Sequence, residues 1–260
     1  MRTTTAERHE MILRQLNAQG FVTVRDLTDA CGASEATLRR DLDRLAESGL
    51  LERTHGGAAP LRRAAPERID LIEPDVDARA TKNMAAKQAI ARVAARLVSG
   101  GQTVALDIGT TTFQLAKELS ELPVSIYTTS LRIAALLANA RPHVYLPGGL
   151  VSGTEPSIIG ARAADHLSQL NFDTVFIGAS SLSENGVVFD YSLEDTESKR
   201  VLLANARRRV LLMDSSKLSR LSVARVCDLS EIDVFVCDAE PHPKIREKLE
   251  TSGAELLLAS

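Results

Sequence analysis

The chain has 260 residues, enough for one large domain or for two smaller ones that each bury a core. Hydrophobic residues make up 44% and charged residues 25%, a composition typical of globular proteins, and no apolar run is long enough to span a bilayer. The formal net charge is −3, and MRTTTAERHE at the start lacks the apolar core of a secretory signal. We therefore expect a cytoplasmic protein with no membrane role.

The cysteines and histidines indicate neither disulfides nor a metal site. Cys31, Cys227 and Cys237 have the spacing of neither a disulfide framework nor a paired zinc site, and the five histidines are scattered. We expect reduced, buried thiols, no metal and no cofactor.

The first 60 residues have the pattern of three short amphipathic helices followed by a hairpin. Thr23 and Ser34 stand where N-caps are expected, and the third helix should end at Ser48 and Gly49. The segment LLER then predicts a strand and THGG a turn. The apolar positions that define the helices are Met11, Ile12, Leu16, Val24, Leu27, Cys31, Leu38, Leu42 and Leu45.

Two helices joined by a tight turn and followed by a hairpin form the winged helix-turn-helix pattern of DNA-binding proteins. When the leucines of the third helix face the core, its arginines lie on an outward strip, where each can bind phosphate or guanine bidentately. Side chains of the hairpin can reach the DNA backbone or the adjoining groove. The expected DNA ligands are Ser34, Thr37, Arg39, Arg40, Arg44, Arg53 and His55.

The charge pattern of the third helix has an alternative interpretation. Asp41 and Asp43 stand between the arginines, as they would on a solvated helix stabilised by ion pairs. The succession of helices and the hairpin favour DNA binding. Residues 1–63 hold ten arginines, no lysine and nine carboxylates, a nearly neutral balance that favours a protein using two copies of the module. We therefore expect a homodimer or homotetramer.

The remainder of the chain has a different texture. Residues 60–82 carry three prolines and many charges, which is typical of a linker. From residue 83 onward apolar strands alternate with amphipathic helices, which predicts an α/β domain with a mostly parallel sheet covered on both faces. The predicted organisation is a DNA-binding domain over 1–59, a linker over 60–82 and an α/β domain over 83–260.

The carboxyl ends of the predicted strands carry small, hydroxyl-bearing and acidic residues, and ligands bind at these ends in open parallel sheets. In DIGTTT, from residue 107, Gly109 allows a close backbone approach, and the threonines that follow supply amides and hydroxyls for a phosphate. In DSSK, from residue 214, Lys217 adds a cation. A threonine at a helix start is often only a cap and a lone lysine only solvated surface. Together they favour a pocket for a phosphorylated, hydroxyl-rich ligand.

The N-terminal residues resemble the DeoR family of bacterial transcriptional regulators, in which a TIRRDL recognition helix precedes a glycine-leucine pair and an HGGA wing. Here TLRRDL occupies residues 37–42 and GLLERTHGGA residues 49–58. The resemblance continues through the second domain. It implies a repressor of a carbohydrate-use operon that binds double-stranded operator DNA and is released by a phosphorylated sugar or a related metabolite.

The second domain resembles the DeoR sensor domain, which implies a Rossmann-like fold similar to ribose 5-phosphate isomerase. In that family the D-x-GTT and D-S-S-K segments line the effector pocket. The family's E-x-x-x-K step is here Asp195 to Lys199, and its TNS is TTS, so that Thr129 replaces the amide. The expected effector-binding residues are Asp107, Gly109, Thr110, Thr111, Thr112, Thr129, Ser130, Gly148, Gly149, Asp214 and Lys217.

Two other functions stay open at this point. A sugar-phosphate isomerase with an appended helical domain would use Asp107 or Asp214, near Lys217, for proton transfer. Because the N-terminal motif has no use in a free isomerase, we expect no enzymatic activity. A winged-helix module that binds only proteins is the third possibility.

Overall fold

The computed structural model describes residues 5–19, 21–47, 51–54, 56–60 and 73–259. The chain divides into two compact units, Met1–Pro66 (the small unit) and Glu67–Ser260 (the large unit). Each unit has its own hydrophobic core. None of the described helices combines the length and the apolar character that a membrane span requires.

The small unit is a winged helix-turn-helix. Its elements are α1 (Thr5–Gln19), β1 (Val22–Thr23), α2 (Val24–Cys31), α3 (Glu35–Glu47), β2 (Leu51–Thr54) and β3 (Gly57–Pro60). β3 pairs antiparallel with both β2 and β1, so the wing is a three-stranded sheet and not the two-stranded hairpin expected from the sequence. Gly57 makes the third strand possible, because a Cβ there would lie 2.0 Å from the carbonyl oxygen of Val22.

Local signals in the sequence determine the helix ends of the small unit. Thr23 Oγ1 accepts from the Asp26 N–H at 3.1 Å while the Asp26 carboxylate accepts from the Thr23 N–H, which closes a capping box at α2. Gly32, with φ of 60°, ends this helix in the left-handed conformation. Ser34 Oγ accepts from the Thr37 N–H at the start of α3. Both predicted N-caps are confirmed, whereas the predicted helix end at residues 48–49 lies outside the described residues.

The large unit is built around a seven-stranded parallel sheet. Its strands are β4 (Thr103–Leu106), β5 (Ser125–Thr128), β6 (His143–Tyr145), β9 (Phe172–Gly178), β12 (Ala206–Leu212), β14 (Val234–Cys237) and β15 (Glu255–Leu258). Their order in the sheet is β15-β14-β12-β9-β4-β5-β6. The helices of the large unit are α4 (Val76–Thr81), α5 (Met84–Ala95), α6 (Thr110–Glu118), α7 (Leu131–Leu137), α8 (Ala161–Ser168), α9 (Leu193–Ala204) and α10 (Pro243–Ser252).

The strand order creates a switch point between β4 and β9, because the chain builds the sheet outward from β4 in one direction and from β9 in the other. Open α/β sheets bind ligands in the crevice at such a point. The strands are buried on both faces: Val175 and Ile177 belong to one core cluster, and Phe176 between them belongs to the other. The predicted α/β fold class, with a mostly parallel sheet, is confirmed.

Short antiparallel elements and one helix were missing from the sequence prediction. The added strands are β7 (Leu150–Ser152) with β8 (Ser157–Ile159), and β10 (Ser181–Leu182) with β11 (Val187–Asp190) and β13 (Ala224–Asp228). These strands have two to five residues, too few for a period to be recognised. Residues 76–81 of the stretch expected to be a linker form α4, whose N-cap Asp75 accepts from the Asp77 N–H.

Candidate functional site

The outward surface of α3 is the first candidate site. Leu38, Leu42 and Leu45 are buried, as predicted, and Arg39, Arg40 and Arg44 are exposed on the other side of the helix. The spacing of the leucines alone produces this division, since residues three and four apart share one face of a helix.

The carboxylates near these arginines differ in where they lie. Asp41 is 3% exposed and bonds to Arg8 Nε at 2.8 Å and to His9 at 3.3 Å, so it belongs to the interior and not to the outward surface. Burial alone would raise the pKa of Asp41, but hydrogen bonds from Arg8 and His9 hold it below its ordinary value. Of the two aspartates that stand between the arginines in the sequence, Asp41 is therefore removed from the outward surface, whereas Asp43 stays exposed.

Several predicted DNA ligands form hydrogen bonds or ion pairs with other residues of the small unit. Arg53 donates to Asp43 Oδ1 at 2.8 Å and to the carbonyl oxygen of Gly57 at 2.7 Å, which ties the wing to α3. Arg39 pairs with Glu35 at 3.3 Å on the exposed helix surface. The Ser34 and Thr37 hydroxyls lie 2.9 Å apart at the helix start. His55 lies outside the described residues.

The large unit contains a second candidate site, a cavity of about 380 Å³ at the switch point of the sheet. Its walls come from the ends of β4, β9, β11 and β12, the starts of α6 and α9, the turn between β7 and β8, α5, and α4 with the residues before it. The lining includes Glu73, Arg79, Lys82, Lys87, Gly109, Thr110, Thr111, Glu155, Asp190, Asp195, Lys199, Asp214, Lys217 and Arg220.

The start of α6 is suited to an anion. Gly109 has φ of 144°, which favours glycine, and no described side chain caps the helix after it. Thr110 and Thr111 are buried and line the cavity, so the first amides of α6 are at the cavity wall. A buried helix end without a cap is normally satisfied by water or a ligand, and its dipole favours negative charge.

Two lysines line this cavity, of which Lys87 is buried and Lys217 is half-buried. Lys87 Nζ donates to the carbonyl oxygen of Arg79, and Lys217 Nζ donates to that of Ala179 at 2.7 Å. Burial lowers the pKa of Lys87 to about 8, helped by repulsion from Lys217. Burial also lowers the pKa of Lys217, against the attraction of Asp214. An anionic ligand would relieve the cost of keeping both ammonium groups charged.

Lys199 forms the deepest charge cluster of the large unit. It is 1% exposed, and its Nζ bonds to Asp107 and lies 3.2 Å from Asp190 Oδ2. Burial opposes its charge, but Asp107, Asp190 and Asp195 outweigh burial and hold the pKa of Lys199 above its ordinary value. Asp107 Oδ2 also accepts from the Gly178 N–H at 3.1 Å, which joins β4 to β9. Asp107 thus orients Lys199 from behind the cavity wall.

Arg79 connects α4 to the opposite wall of the cavity. Its guanidinium lies 3.0 Å from Glu73 Oε1 and 3.1 Å from Glu155 Oε2. Glu155 belongs to the β7–β8 turn and Glu73 precedes α4. Burial raises the pKa of Glu73, and the neighbouring Arg79 opposes this.

The structure brings together some of the expected effector residues and separates others from them. Gly109, Thr110, Thr111, Asp214 and Lys217 line the cavity. The expected residues that are not in the cavity lining are Asp107, Thr112, Thr129, Ser130, Gly148 and Gly149.

The residues outside the lining have structural contacts. Thr112 Oγ1 donates to the Gly109 carbonyl oxygen at 2.9 Å, and Ser130 Oγ caps α7 by accepting from Ile133 N–H. The Thr129 carbonyl oxygen accepts from Ile158 N–H on β8. A Cβ at position 149 would lie 2.7 Å from Ile158 Cγ2, so Gly149 is needed for close packing of the β7–β8 hairpin.

The cavity also contains residues that the expected effector set lacked. Lys199 and Asp195 share one face of α9 at a four-residue spacing, and their D-x-x-x-K pattern was the one signal for them. Arg79, Lys87 and Glu155 come from three separate elements and carried no signal. No group of three or more His, Cys, Asp or Glu within the described ranges is arranged to hold a metal ion.

Family models match both units of the chain. A DeoR-like helix-turn-helix domain matches residues 8–63, and a DeoR C-terminal sensor domain matches residues 82–239. The sensor match contains most of the cavity lining, from Lys82 to Arg220.

Curated relatives match over nearly the full length. The HTH-type transcriptional regulator GlpR of Haloferax volcanii is 31% identical over 97% of this chain and 97% of its own. The glycerol-3-phosphate regulon repressor of Escherichia coli K12 is 30% identical over 97% of this chain and 98% of its own. Ribose 5-phosphate isomerase A of Methanocaldococcus jannaschii is 23% identical with a TM-score of 0.41, over 53% of this chain and only about half (55%) of the isomerase. The chain belongs to the DeoR family of DNA-binding transcriptional regulators.

Proposed function

We propose that this protein represses a carbohydrate-use operon by binding its operator through the outward surface of α3, and that a phosphorylated sugar in the large-unit cavity releases it. The uncapped start of α6 beside Lys87 and Lys217 is the observation that carries the effector assignment. A phosphate there would accept from backbone amides and from two ammonium groups that burial makes costly. The name of the E. coli relative, a glycerol-3-phosphate repressor, supports a small phosphorylated effector.

Fluorescence anisotropy tests both halves of this proposal. Labelled DNA from upstream of the gene and its neighbours is titrated with the protein at a stated salt concentration, because salt governs the affinity of protein for DNA. A panel of phosphorylated sugars is then added to the complex. We expect tight binding to DNA that one compound reverses. Binding that none of the compounds reverses would contradict the proposed effector, and no binding to any DNA would contradict the proposed role as a DNA-binding repressor.

We propose that the effector signal leaves the cavity through α4. Glu73 and Arg79 line the cavity, and their segment directly follows residues 61–72 in the chain. A ligand that changes the ion pairs of Arg79 with Glu73 and Glu155 would alter this segment. Allosteric coupling of about 1–3 kcal/mol would change operator affinity roughly 5- to 150-fold.

We further propose that the working form is a homodimer or homotetramer in the cytoplasm. The nearly neutral small unit supports the use of two copies. Exposed apolar residues near the edge strand β6 are suited to contact a second copy; they are Tyr145, Leu146, Leu150 and Val151. Sedimentation equilibrium measures the assembly, and a monomer at operator-binding concentrations would contradict it.

We propose binding without turnover in the large unit. A general base must reach the proton it abstracts. Asp107 is engaged by Lys199 and the Gly178 amide and is not in the cavity lining, and Asp214 accepts from Asn83 at 2.8 Å. An assay for isomerisation of ribose 5-phosphate and related sugars tests this, and sustained turnover would revive the enzyme hypothesis.

Replacing Arg40 with alanine is expected to weaken operator binding about 5- to 150-fold, because a bidentate base contact contributes about 1–3 kcal/mol. Arg40 is exposed on α3 and makes no ion pair with another residue that the structure describes. Anisotropy with operator DNA measures the effect. Arg92→Ala, which removes an exposed arginine from α5 of the large unit, is the matched control. Equal affinities for Arg40→Ala and wild type would exclude the recognition role.

Phosphate binding in the cavity is expected to weaken as the pH rises from about 7 to about 9. Lys87 has a pKa of about 8 and is charged below that value, so its attraction for an anion is lost above it. Calorimetric titration with inorganic phosphate across this range measures the loss. Lys87→Arg keeps its charge throughout and should flatten the profile. An identical slope in wild type and variant would show that Lys87 is not the titrating group.

A further inference from the structure

The charged side chains of the cavity wall form two groups. The basic group contains Lys82, Lys87, Lys217 and Arg220, of which Lys87 and Lys217 attract Asp214. The acidic group has four carboxylates and two cations: Glu73, Glu155, Asp190, Asp195, Arg79 and Lys199. The uncapped start of α6 and the basic group suit a phosphate, which leaves the acidic group for another part of the same ligand.

The acidic group holds more negative charge than its own cations neutralise. Arg79 forms ion pairs with both Glu73 and Glu155. Lys199 forms ion pairs with Asp190 and also with Asp107, which lies behind the cavity wall. Asp195 accepts a hydrogen bond from the neutral Ser157 Oγ at 3.1 Å, and it shares the positive charge of Lys199 with Asp107 and Asp190. Uncompensated carboxylates are costly in a partly closed cavity, unless a ligand supplies positive charge.

Glu155 provides a second, independent observation. Its side chain is 4% exposed and lines the cavity, and its Oε2 makes no hydrogen bond to any described residue. Arg79 Nη2 lies 3.1 Å away but without hydrogen-bond geometry, and this nitrogen is unsatisfied as well. Buried polar atoms are normally bonded, so an unsatisfied oxygen at a cavity wall indicates a donor that comes from the ligand.

We propose that the acidic group binds a protonated amino group, so that the effector is a phosphorylated amino sugar or a similar phosphorylated amino polyol. This inference rests on the proposed function, because it assumes a phosphate at the basic group. An ammonium group donates three hydrogen bonds and offsets the excess negative charge, whereas a hydroxyl donates one and offsets none. The basic group would thus bind the phosphate, and the acidic group would bind the ammonium group of the same small molecule.

Matched ligands test the inference on the full-length protein. Calorimetry near neutral pH compares glucosamine 6-phosphate with glucose 6-phosphate and N-acetylglucosamine 6-phosphate, and repeats the comparison in the galactose series, with inorganic phosphate as reference. We expect the amine of at least one series to bind at least about tenfold tighter than both neutral analogues, as a charge-assisted hydrogen bond allows.

Each other outcome has a definite meaning. Neutral analogues that bind as tightly as the amine would overturn the amino-group inference and leave the sugar-phosphate proposal standing. Binding of inorganic phosphate without binding of any of the six sugars would also overturn the inference. Failure of phosphate and of every sugar to bind would contradict the proposed function itself.

A substitution in the acidic group tests amine binding separately from phosphate binding. Asp195→Asn has the same shape and lacks the charge, and we expect it to reduce the preference for amine over hydroxyl about tenfold while inorganic phosphate binds as before. Asp165→Asn, an exposed carboxylate on α8, is the control and should keep the full preference. An unchanged preference in Asp195→Asn would remove this residue from the proposed amine site.

Discussion

Replacing Lys199 with methionine is expected to destabilise the large unit by about 3–5 kcal/mol, the usual cost of removing one partner from a buried ion pair. Lys199 is 1% exposed and bonds to Asp107, which is equally buried. Methionine has a similar length but leaves the Asp107 carboxylate next to an apolar side chain. The same carboxylate would then either stay charged without a partner or take up a proton, and both lower the stability of the fold.

Tyrosine fluorescence measures this loss in the large unit alone. The chain has no tryptophan, and its three tyrosines, Tyr127, Tyr145 and Tyr191, all belong to the large unit. Urea unfolding followed by this signal should show a lower midpoint for Lys199→Met, while Lys248→Met, at an exposed position on α10, should stay within about 0.5 kcal/mol of wild type.

A second substitution identifies the cause of the loss. Adding Asp107→Asn to Lys199→Met removes the uncompensated carboxylate, so the double variant should recover part of the lost free energy of unfolding. The single variant Asp107→Asn provides the comparison. If the double variant has lost the sum of the unfolding free energies lost by the two single variants, the two side chains act independently.

The helices and the β2–β3 hairpin of the small unit could be predicted from the sequence because local signals determine them, whereas the pairing of β1 with β3 could not. The leucine spacing of α3 and the caps at Thr23 and Ser34 act over three or four residues, and the structure follows them. The burial of Asp41 was not predictable in this way. It depends on Arg8 and His9, which are more than 30 residues away and meet Asp41 only in the folded unit.

The expectation that ligands bind at the carboxyl ends of parallel strands predicted part of the cavity lining. It was wrong for the residues that follow β5 and β6. Gly109 and Asp214 follow β4 and β12, which lie on either side of β9 near the switch point. Thr129 and Gly148 follow β5 and β6, which lie beyond β4 on the side away from β9. The sequence places all these residues at carboxyl ends but does not give the order of the strands, so it gave no reason to separate them.

The other cavity residues were missed for a different reason. Arg79 stands in a segment whose prolines and charges are typical of a linker, and Glu155 stands in a turn between two three-residue strands. Their pairing joins residues 76 positions apart through one ion pair of 3.1 Å. No periodicity marks such a contact, because it is specific to the folded arrangement and not to either segment.

Replacing Lys217 with alanine is expected to leave operator affinity unchanged and to raise the effector concentration needed for half-release about 10- to 150-fold. The loss corresponds to one charge-assisted hydrogen bond to phosphate, about 1.5–3 kcal/mol. Lys217 lies at the cavity wall of the large unit, beyond the end of β12 and near Asp214, whereas α3 belongs to the small unit. Anisotropy of the labelled operator complex, titrated with the effector, measures both quantities in one experiment.

Measuring operator affinity and effector-induced release on the same variant distinguishes a loss of DNA binding from a loss of effector binding. Lys248→Ala removes an exposed lysine from α10 outside the lining of the large-unit cavity, and this variant should release operator DNA at the wild-type effector concentration. Because free energy couples the two sites in both directions, a variant that binds effector poorly must also require more effector to leave DNA. Lys217→Ala that binds operator normally and releases at the wild-type concentration would exclude Lys217 from the effector site, and the phosphate would then have to be held by α6 and Lys87.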